Sequence, residues 1–268
     1  MKYSSNLNVF RLLSIYGGRV IEGVAHDVRQ RYLGSVVGIG WAVLLPAMQL
    51  SIYAGLYAFV FKVRPSGLNE WGYILLVFSG LVPIMAFNEA LTSSISSVSA
   101  NKNLLLNTVF PAELIPLRSV VAAHFPHLFG LAITLCLGFA LGRTDWKAIV
   151  LVPVCWLLLL MFATGIGWIL SLVSLVAKDI QQVIGLVLMV MMIISPFAYT
   201  PEMVPGAMKP LLLLNPLSYF VLTFQQLICY GNWPDPRIFG GAALIAITSF
   251  LVGYSFFQRA KGVFFDYA

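Results

Sequence analysis

Between Val37 and Phe61 the chain runs twenty-five residues without a charged side chain. Further stretches of the same character follow at about Tyr73–Ser93, Val120–Leu141, Ala148–Ala177, Val183–Thr200 and Phe239–Phe257. At 1.5 Å per residue, the first would reach roughly 37 Å as a helix, enough to cross a hydrocarbon core of about 30 Å with some tilt. The pattern predicts an all-α polytopic membrane protein with six transmembrane helices. Pro46, Pro83, Pro126, Pro153 and Pro196 fall inside these runs. They predict kinks rather than breaks, because neighbouring helices can re-satisfy the freed backbone groups.

Two polar-interrupted regions behave differently. Before the first span, a helical wheel from Phe10 gathers Leu13, Tyr16, Gly17, Val20, Ile21 and Val24 on one arc, with Arg11, Gly18, Arg19, Glu22 and His26 opposite. That predicts an amphipathic helix lying in the membrane interface, although Leu12 and Ile15 break the pattern. Between the last two spans, Pro201 to Arg237 is apolar in its middle but cut by Pro205, Pro210, Asn215-Pro216, Pro234 and Pro236. It reads as a re-entrant hairpin dipping from the outer side, since broken helices at membrane depth need protein or a water-filled cavity around their backbone. The alternative is a seventh, distorted span.

Composition agrees: 60% of the residues are hydrophobic and 10% charged, against about 25% charged in a soluble domain. The formal charge of +6 comes from scattered residues. Without a basic run or groove, it speaks for membrane orientation and against nucleic acid. With the N-terminus inside, inner segments hold ten cations (Lys2, Arg11, Arg19, Arg29, Arg31, Lys102, Arg118, Lys178, Arg259, Lys261) and outer ones six (Lys62, Arg64, Arg143, Lys147, Lys209, Arg237). The bias puts both termini in the cytoplasm; a seventh span would put the C-terminus outside. Residues 1–36 then form the cytoplasmic or interfacial N-terminal part, 37–257 the transmembrane region and 258–268 a cytoplasmic tail of one domain. Met1 to Arg31 offers no apolar signal-peptide core, so insertion is expected to rely on the first span. Cys136, Cys155 and Cys229 lack metal or CxxC spacing and read as small core residues.

The chain contains no GxxxxGK[ST] phosphate cradle. No cofactor is therefore expected on it, and any ATP and Mg²⁺ would be used by a separate subunit docked on the inner face. The loop after the second span, Ser99 to Leu117, joins an apolar helical stub to polar flanks and two prolines. A short rigid helix of that kind is what a docking subunit could push on, although an interfacial linker would look similar.

At these residues the chain resembles the membrane subunits of ABC-2-type polysaccharide exporters. Arg31-Tyr32-Leu33-Gly34-Ser35 through Gly38, Trp41 and Pro46 is similar to that family's R-Y-x-x-S-x-x-G-x-x-W-x-x-x-x-P pattern. Asn101-Lys102-Asn103-Leu104 through Phe110-Pro111-Ala112-Glu113 and Pro116 resembles its coupling-helix loop. Lys178-Asp179-Ile180 stands where Arg-Asp-Val or Arg-Asp-Ile is usual, and Asn215-Pro216-Leu217 precedes the last outer helix. The resemblance covers nearly the whole chain. It implies a bacterial inner-membrane permease that forms a homodimer and pairs with two copies of an ABC ATPase. It would export capsule, O-antigen or teichoic-acid polysaccharide, lipid-linked or free. Asn101, Lys102, Asn103, Leu104, Phe110, Pro111, Glu113, Lys178 and Asp179 would couple the ATPase to the pore. Lysine at 178 keeps the charge but loses a bidentate fork, which loosens any pairing with Asp179.

Among the remaining candidates, Glu89 beside Asn88 is the acid deepest in a span, where an ionisable group must face water or find a cation. His124 and His127 share a helical face but lack a neighbouring acid or cysteine in sequence, so they read as packing or interfacial residues rather than metal ligands. Tyr53, Tyr57, Phe59 and Phe61, with Phe197 and Tyr199, could stack on sugar rings along a conduit or form an interfacial belt. Tyr53 and Tyr57 are the preferred pore pair. Lys62, Arg64, Arg143 and Lys147 would stand at the outer mouth, either drawing an anionic polymer or sitting among headgroups. Gly165, Gly167 and Ser171 suggest a close-packed face on the fourth span. The same fold would suit an exporter of drugs or simple lipids. An intramembrane enzyme would need clustered acids, histidines or metal ligands, and an ion-driven transporter an inverted repeat, and neither pattern is seen.

Overall fold

The computed structural model describes residues 9–57, 67–102 and 110–266, and these are helical with connecting turns. Phe59, Phe61, Lys62, Arg64, Asn103 and Leu104 lie outside the described residues. In chain order the α-helices are α1 Val9–Tyr32, α2 Trp41–Gly55, α3 Glu70–Ile95, α4 Ser97–Ala100, α5 Leu114–Ala140, α6 Lys147–Val176, α7 Ile180–Ile194, α8 Lys209–Leu214, α9 Pro216–Ile228 and α10 Pro236–Asp266.

Five segments are long and apolar enough to cross a membrane: 38–55, α3, α5, α6 and 236–262. A sixth is reached if the helices on either side of Asn215 count as one span, though they meet at a bend of 96°. The bend has a local cause. Asn215 is extended, Pro216 starts α9 where its missing N–H costs nothing, and the Asn215 Oδ1 accepts from Leu217 N at 3.1 Å. The run expected to span Val183–Thr200 is shorter than predicted: α7 covers Ile180–Ile194, about 22 Å of helix. It stops because Pro196 biases Ser195 away from helical geometry, and Ser195 has ψ 134°. Pro46, Pro83, Pro126 and Pro153 do lie inside continuous helices.

Helix α3 is the axis of the bundle. Of its most apolar stretch 78% is buried, against 17% for 38–55 at the periphery. Asn69 caps it by accepting from Gly72 N at 2.8 Å, and Glu70 adds negative charge to the first turn. Helices α6 and α10 make the closest approach. A Cβ on Gly253 would lie 2.0 Å from Gly165 O, and one on Gly165 2.3 Å from Ser249 O. Gly167 faces Ser94 of α3, where a Cβ would meet the hydroxyl at 2.4 Å. The small-residue face expected on the fourth span is thus used against two neighbours.

Helix α1 packs along α5. Leu12, Val20 and Val28 are buried, whereas Ile15 and Ile21 are exposed. The buried row follows i, i+4 spacing from Leu12, a residue expected to break the pattern, and Ile21 turns away from the bundle.

Candidate functional site

Three polar linkages converge where α1, α3, α4 and α5 meet. The segment before α5 carries the first. Glu113 is buried at 3% exposure and pairs with Lys261 of α10, while its backbone oxygen accepts from Trp168 Nε1 of α6 at 2.7 Å. Phe110 sets its ring edge-on to Tyr16 of α1, centroids 6.5 Å apart. Residues 110–113 are therefore tied to α1, α6 and α10 at once. Pro111 lies in the turn leading into α5.

The second linkage joins α1 to the start of α5. Arg118 Nε lies 2.8 Å from Asp27 Oδ2, and its Nη2 donates to Asn101 Oδ1 at 3.1 Å. Asn101 in turn donates through Nδ2 to Ser97 O at 2.8 Å, closing the end of α4. The serines of this region return their hydroxyls to nearby carbonyls, as Ser97 does to Ser94 O at 2.7 Å. Ser174 of α6 donates to Ile95 O at 2.6 Å and fixes the end of α3. Lys102 is exposed beside them.

Glu89 centres the third. One carboxylate oxygen pairs with Arg31 at the end of α1, and the other is 2.8 Å from His127 Nε2 of α5. Arg31 also donates to Ser93 Oγ at 3.0 Å. An acid at membrane depth has thus found a cation on one side and an imidazole on the other, as the cost of an isolated charge there requires. Between this cluster and the Asp27–Arg118 pair lies a polar cavity of about 380 Å³, lined by Asp27, Arg31, Ser93, Asn101, Arg118 and Ser119. His124, one turn from His127, is buried with its Nδ1 2.9 Å from Val120 O. Among the described residues no cluster of three or more His, Cys, Asp or Glu could hold a metal.

Lys178 and Asp179 stand exposed between α6 and α7, and they form no ion pair with each other among the described residues. The aromatic candidates gather elsewhere. Tyr53 of α2 and Tyr57 just beyond its end stack 6.5 Å apart at 13°, and the Phe197 ring stands edge-on to both, 6.3 and 6.1 Å away. Tyr73 of α3, not foreseen, completes the group at 6.1 Å from Tyr57 and donates its hydroxyl to Ala198 O at 2.9 Å. Tyr199 donates its hydroxyl to Ile194 O. In one copy of the chain, Tyr53 and Tyr57 are half-buried and hold α2 against α3 and the turn after α7.

Sequence reasoning missed Arg31, Asp27, Arg118, Lys261 and Tyr73. A signal existed for the first four: a charge within an apolar bundle needs an opposite charge, but sequence alone does not say which one. These linkages join α1, α3, α5, α6 and α10 to one another.

Comparison with known proteins gives a consistent picture. The profile of the family described as "ABC-2 type transporter" matches residues 24–228. The chain is 25% identical over 260 residues to the O-antigen export system permease protein RfbA of Myxococcus xanthus, covering 96% of this chain and 98% of that protein. It is 27% identical over 239 residues to the O-antigen export system permease protein RfbA of Klebsiella pneumoniae, covering 88% and 89%. With the polysialic acid transport protein KpsM of Escherichia coli it shares 21% over 243 residues, covering 88% and 90%.

Proposed function

Because this chain belongs to the ABC-2 type transporter family, we propose that it is the membrane subunit of an ATP-driven exporter of a cell-surface polysaccharide, lipid-linked or free, in the bacterial inner membrane. The observation that carries this is similarity over 96% of the chain to a permease named for O-antigen export. The relatives' names favour polysaccharide over the drug or simple-lipid alternative.

In this reading two copies form the conduit, and two copies of a separate ATPase supply nucleotide hydrolysis with Mg²⁺. The chain itself is a pore subunit, not an enzyme. Both termini are cytoplasmic, α1 lies in the inner interface, and α8 with α9 forms a re-entrant hairpin dipping from the outer side. The ATPase engages Asn101, Lys102, Asn103, Leu104, Phe110 and Pro111, with Lys178 and Asp179 exposed for the same partner. Glu113 passes the displacement on, supported by its links to α6 and α10. The Arg31–Glu89–His127 cluster makes α1 move with α3 and α5. Tyr53, Tyr57, Phe197 and Tyr199 offer aromatic faces on which sugar rings slide without a deep binding minimum.

Deleting this chain is expected to strip the polysaccharide from the cell surface and leave it accumulating inside. An unchanged surface, with new sensitivity to a toxic amphiphile, would support the drug or lipid alternative.

A further inference from the structure

At the end of the bundle opposite Glu113, three helix ends meet in one hydrogen-bonded knot. Thr144 Oγ1 donates to Ile228 O at 2.7 Å, and Lys147 Nζ donates to Gly231 O at 3.0 Å while pairing with Asp145 at 2.8 Å. The Arg143 side chain lies so close to Gly72 that a Cβ there would meet it at 2.9 Å, and a Cβ on Gly231 would lie 2.5 Å from Arg143 O. From these turns three tryptophans project, Trp71, Trp146 and Trp233, exposed by 57%, 64% and 64%.

Indoles at a membrane surface are ordinarily belt residues, each above a lipid-facing row of its own helix. Trp146 fits that description, since Ile149, Val150, Val154 and Leu157 below it are exposed on α6. Trp71 does not. Beneath it α3 is enclosed, with Leu75 fully buried and Phe78 6% exposed. Trp233 lies in the connection between α9 and α10, and what sets it apart is that its ring is held 5.6 Å from the Lys147 ammonium. A cation occupies one face of that indole, while the residue as a whole stays largely exposed. Arg143, Asp145 and Lys147 supply hydrogen-bonding groups at the rim. An open aromatic face edged by fixed donors and a carboxylate is suited to a pyranose, whose C–H face stacks on a ring while its hydroxyls bond at the edge.

We infer that Trp71 and Trp233, with Asp145 and Lys147, form a sugar-binding platform at the outer mouth of the conduit. This rests on the polysaccharide-export reading and on the orientation given there. The platform holds the leading sugars of the emerging polymer and disfavours their return.

Hydroxyl-radical footprinting reads each tryptophan separately in the unmodified protein. The chain would be purified from its native membrane with whatever remains bound, placed in lipid nanodiscs, and oxidised with and without oligosaccharides cut from the same cells' surface polysaccharide. Protection of Trp71 and Trp233 but not Trp146 is expected, and Trp233→Ala should weaken oligosaccharide affinity about two- to tenfold, the range of one stacking interaction. Equal protection of all three, no protection, or oxidation of Trp71 and Trp233 already as low as that of Trp146 in the nanodisc alone would overturn the platform. If the deletion strain still loses its surface polysaccharide, such a result removes the platform and leaves the export reading in place.

Discussion

The two ends of this bundle are fastened by different physics. At the Glu113 end, the ion pairs Glu113–Lys261, Asp27–Arg118 and Arg31–Glu89, with His127 beside Glu89, join α1, α3, α5 and α10. Toward the opposite end the charge pairing among the described residues is confined to neighbours, Asp145 with Lys147, and the long-range fastenings are the rings of Tyr53, Tyr57, Tyr73 and Phe197 and bonds to backbone oxygen such as Thr144 to Ile228. Charge pairs in a poorly solvated place are stiff in direction and costly to half-break, so they suit elements that must move together. Ring packing is shallow and tolerant, so it suits surfaces along which something slides. On the reading proposed above, the first end receives force and the second lets a polymer pass.

Breaking the best-buried inner pair should have the largest effect. Glu113→Ala breaks the buried pair with Lys261, whose side chain is 12% exposed, and breaking such a pair costs about 3–5 kcal/mol. Thermal melting of the solubilised chain would read this, and replacing both partners by methionine should recover most of it. Next comes Gly253→Ala, whose new methyl would meet Gly165 O at 2.0 Å, costing about 1–3 kcal/mol by overpacking. Gly185→Ala, facing open space, is the matched control. Glu89→Gln follows. Its partners are less buried, with side-chain exposures of 36% for Glu89 and 27% for Arg31, so solvent screening limits the stability loss to about 1 kcal/mol. Its signature is functional: ATP hydrolysis continues while export falls, because α1 no longer moves with α3. Equal loss of both would assign Glu89 to folding instead.

At the opposite end the effects are smaller. Tyr57→Ala should cost about 0.5–1.5 kcal/mol for each aromatic pairing it removes, whereas Tyr57→Phe keeps the stack and should preserve export. Acid should matter least. The Asp145 carboxyl is held below its ordinary 3.8, chiefly by hydrogen bonding to Lys147. Its contribution is therefore present above the ordinary value and is lost only as pH falls below it, through the lowered one. Tryptophan emission from Trp233 should stay constant from pH 8 to about 5 and change only under stronger acid.

The difference between the ends also explains what was legible in advance. Long apolar runs announced the all-α membrane fold, and Gly165 and Gly167 announced a close-packed face, because each is a property of a few adjacent residues. Span ends were harder: Ser195-Pro196 stops α7 early, whereas the break at Asn215-Pro216 was legible and the structure adds its 96° bend. Glu89 was recognisable as anomalous, but its partner Arg31 lies fifty-eight positions away. Glu113 and Lys261 are separated by 148 positions. Pairings over such distances come from the packing of whole helices, which no local pattern encodes. Tyr53 and Tyr57 stood out in sequence as aromatics four positions apart, but their mutual stacking did not, and Tyr73 looked like any aromatic at a helix start.

The central claim, that force enters at the inner end from a separate subunit, is tested most directly by purifying the tagged chain from its native membrane in mild detergent and identifying what stays bound. The account predicts a Walker-type ATPase in equal amount, lost when Phe110 and the flanking loop are altered. Recovery of this chain alone would contradict it and turn attention to an ion-driven transporter or an intramembrane enzyme centred on Glu89.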